Sequence, residues 1–370
     1  MLSLEDLCSA LKPAGGGIHV VSTGVHEMRA LQARIYGQST PAGIEEAWKN
    51  ALTSINEASG LVLGVPSDTG AGFTRGANRA PGALRNHLLQ QPEHPIWSSR
   101  IRDIGDVYTV PQLLDDEMVS TSQKERTERS IYGDVNASLH RPVSPLGICR
   151  AALDYAYEQN PQVVPMVIGG DHSVGWPAFA AAFEHWERKG GRKIGLLHFD
   201  AHTDLLAERL GVRYCFATWA YHANQLLERD GRLVQIGIRA SGRTQDHWES
   251  TLGVRQYWAE EALSKGPVQM ADEISDRFAK RGVDALYVSN DIDGTDPRYA
   301  AATGTPEPGG LTPQLVSELT TLLGSRFPLI GGDLVEVAPP LAGEIEGEPE
   351  TTLNTAGQYL ADLAQLVLKR

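Results

Sequence analysis

Short, nearly continuous apolar runs recur from residue 61 onward: Leu61–Val65, Val163–Ile168, Lys193–Phe199, Leu233–Ile238, Ala285–Ser289 and Phe327–Ile330. Runs of that length and character predict strands buried on both faces. The segments between them carry helical patterns: Ile44–Ile55, Pro81–Leu89, Gly147–Glu158, Trp176–Arg188, Gln269–Lys280 and Thr312–Leu323. Proline near the first turn of the second, and Thr312-Pro313 opening the last, are helix-start signals. Strands alternating with helices predict an α/β fold in which a mostly parallel sheet is covered on both sides.

Residues 1–56 read as an N-terminal extension broken at Gly15-Gly16-Gly17, and 57–370 as the catalytic domain. Residues 112–137 are polar and read as a surface loop or insertion, with a lid or subunit contact as the alternative. The stretch Glu344 to Glu350 reads as solvated loop. Gly70–Gly76 is a turn rather than a phosphate cradle, because GxxxxGK[ST] is absent.

Ligands of open parallel sheets bind just beyond the carboxyl ends of the strands. Three acidic-histidine clusters follow predicted strands: Gly169-Gly170-Asp171-His172-Ser173, Asp200-Ala201-His202-Thr203-Asp204 and Asp291-Ile292-Asp293. A fourth segment, Gly332 to Val337, follows the last one and holds Glu336. Four carboxylates and two imidazoles (His172, Asp200, His202, Asp204, Asp291 and Asp293) are therefore aimed at one region. Such a donor set suits Mn²⁺ or Ni²⁺, whereas structural zinc favours thiolates.

Charge counting favours two ions. Four carboxylates around one divalent ion leave a costly buried excess of negative charge. Two ions roughly 3.5 Å apart balance it and can acidify a shared water. With Glu336 nearby the remaining charge is negative, and a planar, forked guanidinium is its natural partner.

The formal net charge of −13 excludes nucleic acid as an expected partner and suits a small cationic substrate. Three scattered cysteines (Cys8, Cys149 and Cys215) make neither a disulfide framework nor a metal knuckle. With no signal-peptide pattern and no apolar run of membrane-spanning length, the expectation is a cytoplasmic protein that does not engage membranes.

Taken in order, GGDHS at 169–173, DAHTD at 200–204, SNDIDGTDP at 289–297, ATGTPEPGGL at 302–311 and GGDLVEV at 331–337 resemble the ureohydrolase family of arginases, agmatinases and guanidine hydrolases. The resemblance covers roughly residues 60–365 and implies a three-layer α/β/α fold with a dinuclear metal site. Carried over motif by motif, it places His172 on one ion and His202 on the other. Asp200 and Asp291 bridge, Asp204 joins the first ion, Asp293 the second, and Glu336 holds the guanidinium. Residues Thr303 to Gly310 shape the pocket rim. A homohexamer or trimer is implied.

The chain departs from the agmatinase pattern after DAHTD. Phe216 stands where a proton-transferring histidine is expected, so His222, Thr218 with water, or a protonated Asp204 become the proposed proton carriers. Thr218, Trp219 and Phe216 are the expected pocket residues. Asp171 is expected to support rather than bind metal, and His198 to pack or support. The long N-terminal extension, SNDIDGTDP and GVPSDTGAGFTRGAN at 64–78 look most like the guanidine hydrolase branch. That resemblance implies free guanidine as substrate, urea and ammonia as products, nickel favoured over manganese, and nickel-delivery proteins as partners. The rival readings are an agmatinase, a hydrolase of an alkylated guanidine or biguanide such as metformin, a non-catalytic subunit of a heteromer, and a one-zinc deacetylase.

Overall fold

A computed structural model describes residues 2–133 and 141–370. Nine strands form one sheet: β1 (Leu11–Lys12), β2 (Gly60–Gly64), β3 (Ile101–Val107), β4 (Val164–Ile168), β5 (Ile194–Phe199), β6 (Leu233–Ile238), β7 (Arg255–Trp258), β8 (Ala285–Asp291) and β9 (Leu329–Val335). Their spatial order is β1-β3-β2-β4-β9-β8-β5-β6-β7. All pairings are parallel except that of β1, which runs antiparallel to β3 at the edge.

Alternation along the buried strands builds two apolar cores, one per face. Leu61, Leu63, Leu196 and Tyr287 join one core, while Val62, Leu197, Phe199 and Val288 join the other. Helices Pro145–Gln159 and Gly175–Ala182 cover the first face. Helices Ala80–Leu88, Ala259–Ala279, Pro313–Arg326 and Glu350–Leu368 cover the second. The result is the helix–sheet–helix layering expected from the sequence. No helix among the described residues is long and apolar enough to cross a membrane.

Several elements differ from expectation. The polar stretch beginning at residue 112 is not simply loop: it forms a helix at Thr121–Tyr132, capped by the Ser120 side chain on the Gln123 amide and burying Thr127 and Glu128. Residues 134–137 of that stretch lie outside the described residues. The N-terminal 56 residues contribute β1 and a helix at Val25–Tyr36, and Leu7, Leu11, Trp48 and Leu52 enter the first core. A buried ion network fastens this segment. Arg85 pairs with Asp103 and Asp106 at 2.6 Å each, and Asp106 also accepts from the Gly15 amide at 2.7 Å. The last strand runs to Val335, so Asp333 lies within it and only Glu336 sits just past its end.

Candidate metal centre

The three acidic-histidine clusters and Glu336 meet at the carboxyl ends of β4, β5, β8 and β9, the four central strands. The chain turns sharply there. Asp204 and Glu336 adopt φ of 51° and 60°, left-handed conformations that non-glycine residues seldom hold unless the surroundings enforce them.

The six predicted donor residues form two adjoining groups. His172 Nδ1 lies 3.2 Å from Asp200 Oδ2, 3.3 Å from Asp204 Oδ2 and 3.0 Å from Asp291 Oδ2. His202 Nδ1 lies 3.4 Å from Asp200 Oδ1 and 3.1 Å from Asp293 Oδ2. Asp200 thus offers one oxygen to each group, which is the geometry of a bridging carboxylate.

Electrostatics tests whether divalent cations fit. Among the described residues no lysine or arginine pairs with Asp200, Asp204, Asp291 or Asp293. Arg239 comes near, yet its hydrogen bonds go to the backbone carbonyls of Gly237, Asp293, Gly294, Thr295 and Glu307. Burial, then Asp293 and Asp200, holds the Asp291 carboxyl well above the usual range. Burial opposes charging His172, but its contacts with Asp200, Asp204 and Asp291 raise its pKa well above normal. His202 is likewise pushed to about 12, against its burial, by Asp200 and Asp293. Among the described residues only imidazoles face these carboxylates within ion-pair distance, and two divalent ions suit that cage better.

Supporting side chains hold four of the six proposed donors. Trp219 Nε1 donates to Asp204 Oδ2 at 3.0 Å, and its ring stacks on His172 with centroids 4.5 Å apart. His172 Nε2 meets Ser289 Oγ at 3.0 Å. Ser289 donates to Asp333 at 2.6 Å, and Tyr287 donates to the other Asp333 oxygen at 2.8 Å. His198 Nε2 lies 2.7 Å from Asp200 Oδ2, and its Nδ1 faces the Gln235 side-chain amide at 2.9 Å. The amide donates to Nδ1, so the proton resides on Nε2 and points at Asp200. Thr305 donates to Asp293 at 2.8 Å.

Asp171 faces backbone amides. It accepts from the Ser173 and Gly70 amides at 2.8 and 2.9 Å, locking the Asp68–Arg79 loop to the GGDHS turn. Burial lifts its pKa to about 6. Glu336 Oε1 accepts from the His172 amide at 2.9 Å; burial and then Asp171 push its carboxyl well above normal.

A cavity of about 730 Å³ opens onto this cluster, with Glu336 and Thr305 at its inner end. Gly304 and Thr305 are the two rim residues that line it, together with the loop Thr69–Thr74 and an apolar collar that includes Leu113, Leu114, Met118, Val119, Leu210 and Phe216.

Three expectations need correction. Trp219 is fully buried behind Asp204 and does not line the cavity. Thr218 is also fully buried and does not line the cavity; its hydroxyl donates to the Arg213 carbonyl at 2.7 Å and accepts from the Cys215 amide. His222 touches none of the six donors. Its Nε2 bonds to the Arg213 carbonyl at 3.0 Å inside an aromatic cage of Trp176, Tyr214 and Tyr221. The helix Trp219–Leu226 turns Trp219 and His222 inward, Thr218 at its N-cap is tied to the preceding backbone, and Cys215 and Phe216, just before it, line the cavity. Sequence reasoning missed Ser289, Asp333 and Gln235 as supports. Polar residues inside otherwise apolar strands were the available signal.

The chain is similar to known proteins in sequence and fold. Residues 58–363 match the model described as Arginase family. The guanidinobutyrase of Pseudomonas aeruginosa is 39% identical over 290 residues, covering 75% of this chain and 78% of that protein. The mitochondrial guanidino acid hydrolase of Homo sapiens is 31% identical over 313 residues, covering 83% and 75%. Among solved structures, the proclavaminate amidino hydrolase from Streptomyces clavuligerus superposes with a TM-score of 0.64 at 26% identity, over 83% of this chain and 91% of that one.

Proposed function

The chain belongs to the arginase family, hydrolases acting on amidino C–N bonds, and on that premise we propose that it converts free guanidine to urea and ammonia in preference to longer guanidino compounds. The family uses a binuclear divalent metal site. His172, Asp200, Asp204 and Asp291 would hold one ion, and Asp200, His202, Asp291 and Asp293 the other. The ions would supply Lewis acidity and an acidified water as nucleophile.

The protein's own groups do the rest. Glu336, one of two charged residues lining the cavity, holds the guanidinium by its forked N–H donors. Trp219 and His198 keep Asp204 and Asp200 from turning. With Thr218 and His222 turned away, Asp204 is the carboxyl assigned to return a proton to the departing ammonia.

The observation that carries the preference is the cavity wall. An ammonium tail, as in agmatine, meets no carboxylate there except Glu336, which the guanidinium occupies. Guanidino acids are the second reading, favoured by the identity to the guanidinobutyrase and by Arg209 on the same wall. Nickel is the ion we favour, with manganese as the alternative, and a cytoplasmic homo-oligomer served by nickel-delivery proteins belongs to the same reading. Urea and ammonia release from guanidine, methylguanidine, metformin, agmatine and guanidinobutyrate, with nickel- and manganese-loaded protein, tests it. Faster turnover of agmatine than of guanidine would reject the preference. Two bound ions with turnover appearing only on adding a partner chain would favour the non-catalytic-subunit reading.

A further inference from the structure

The cavity holds opposite charges at its two ends. Of its lining residues only Glu336 and Arg209 are charged. Glu336 sits at the metal cluster, hydrogen-bonded to the His172 amide. Arg209 belongs to the mouth, on an exposed loop.

Arg209 is held in place from two directions. Its guanidinium lies 5.4 Å from the centroid of the Phe216 ring. Its amide and carbonyl exchange hydrogen bonds with Val212, both at 2.9 Å, closing a tight turn. The turn centre, Leu210-Gly211, has φ of 50° and 80°. Two successive positive φ values define a primed turn, for which asparagine or glycine is the ordinary first residue. Leucine there is strained, and it is 98% exposed beside the 97% exposed Phe73 of the facing loop. A strained backbone and two bared apolar side chains at one opening mark a functional rim rather than a stability device.

Acidic neighbours do not cancel Arg209. Among the described residues it makes no ion pair within 4.0 Å. Its chain neighbour Glu208 is exposed on the same loop, while Glu117 pairs with Arg213 at 3.4 Å and Asp116 with Lys124 at 3.1 Å. Because Arg209 is exposed, its field is screened by salt and acts at short range, on a substrate tail that passes the mouth.

We propose that the Arg209–Val212 turn is a charge filter at the cavity mouth, passing guanidinium compounds whose far end is neutral or anionic and repelling those with a second cation. The net negative charge of the whole chain draws cations in; the turn sorts them at short range. The filter rests on the guanidino-hydrolase reading for the identity of the ligands.

The test compares wild type with Arg209→Glu and Arg209→Gln, using guanidine, guanidinobutyrate and agmatine at low and high salt. Both kcat/KM and calorimetric binding are read. In Arg209→Glu the agmatine-to-guanidine ratio rises at least tenfold and the guanidinobutyrate-to-guanidine ratio falls by a similar factor. Arg209→Gln gives intermediate shifts, and high salt compresses all of them. Ratios that stay within twofold in Arg209→Glu overturn the filter. Absence of turnover of all three compounds by the metal-loaded wild type overturns the guanidino-hydrolase reading instead, and the binding ratios still decide the filter.

Discussion

The indole Nε1 of Trp219 donates to Asp204 Oδ2 at 3.0 Å while the ring stacks on His172. One side chain thus steadies two proposed metal donors from behind. Trp219→Phe keeps the stacking surface and removes the donor. Metal affinity is expected to fall about 10–100-fold, as for other supports of metal ligands. A competition titration against a chelator of known affinity reads this directly, and unchanged affinity would refute the role.

Glu336→Gln replaces a charged acceptor with a neutral one of the same shape. The amide oxygen can still accept from the His172 N–H, so the fold and the count of bound ions should hold. A charge-assisted hydrogen bond contributes about 1.5–3 kcal/mol, so kcat/KM for guanidine should drop about 10–150-fold. Steady-state kinetics alongside elemental analysis separate this outcome from simple metal loss.

His222 gives a pH prediction. Burial, opposed by its hydrogen bond to the Arg213 carbonyl, lowers its pKa in the folded protein. The unfolded chain therefore takes up the proton first as pH falls. The stability of neutral His222 is full above its unfolded pKa of about 6.5 and is lost as pH falls toward the depressed folded value. His222→Gln should be less stable than wild type at pH 7.5, with the gap in Tm narrowing toward pH 5. Guanidine turnover at pH 7.5 should stay within threefold, and a collapse in kcat with intact metal content would return His222 to the reaction.

Arg85 is 1% exposed between Asp103 and Asp106. Arg85→Ala leaves two carboxylates without their cation, which typically costs about 3–5 kcal/mol. Because Asp106 also holds the Gly15 amide, the loss should appear as lower thermal stability together with faster proteolysis near residue 15. Arg85→Lys, lacking the planar fork, should recover only part of it.

Much of the sheet was legible because β2, β4, β5, β6 and β8 are buried on both faces and read as apolar runs. β3, with Arg102, Asp103 and Asp106, and β7, with Arg255 and Gln256, were not. Their polar side chains enter ion pairs and amide bonds, such as Arg255 with Glu249 at 2.8 Å, that hydrophobic periodicity cannot register. The helix Thr121–Tyr132 escaped for a related reason: it buries the polar Thr127 and Glu128 and meets the core with Ile131 and Tyr132 at its end. At the site, strand-end spacing picked out the six proposed donors, which the structure brings close together. Side-chain direction within the helix Trp219–Leu226 depended on how that helix docks, so Trp219 and His222 were misplaced.

Ser289 and Asp333 are direct partners across β8 and β9, and that register depends on a one-residue irregularity between Leu286 and Tyr287 that skips Ile330. Gly331 makes room there, since a side-chain carbon would sit 2.8 Å from the Tyr287 ring. A slip of one position would separate Ser289 from Asp333 and strand a buried acid in the sheet interior. The pairing of two strands therefore sets the footing of an imidazole: Asp333 fixes Ser289, and Ser289 meets His172 Nε2 at 3.0 Å.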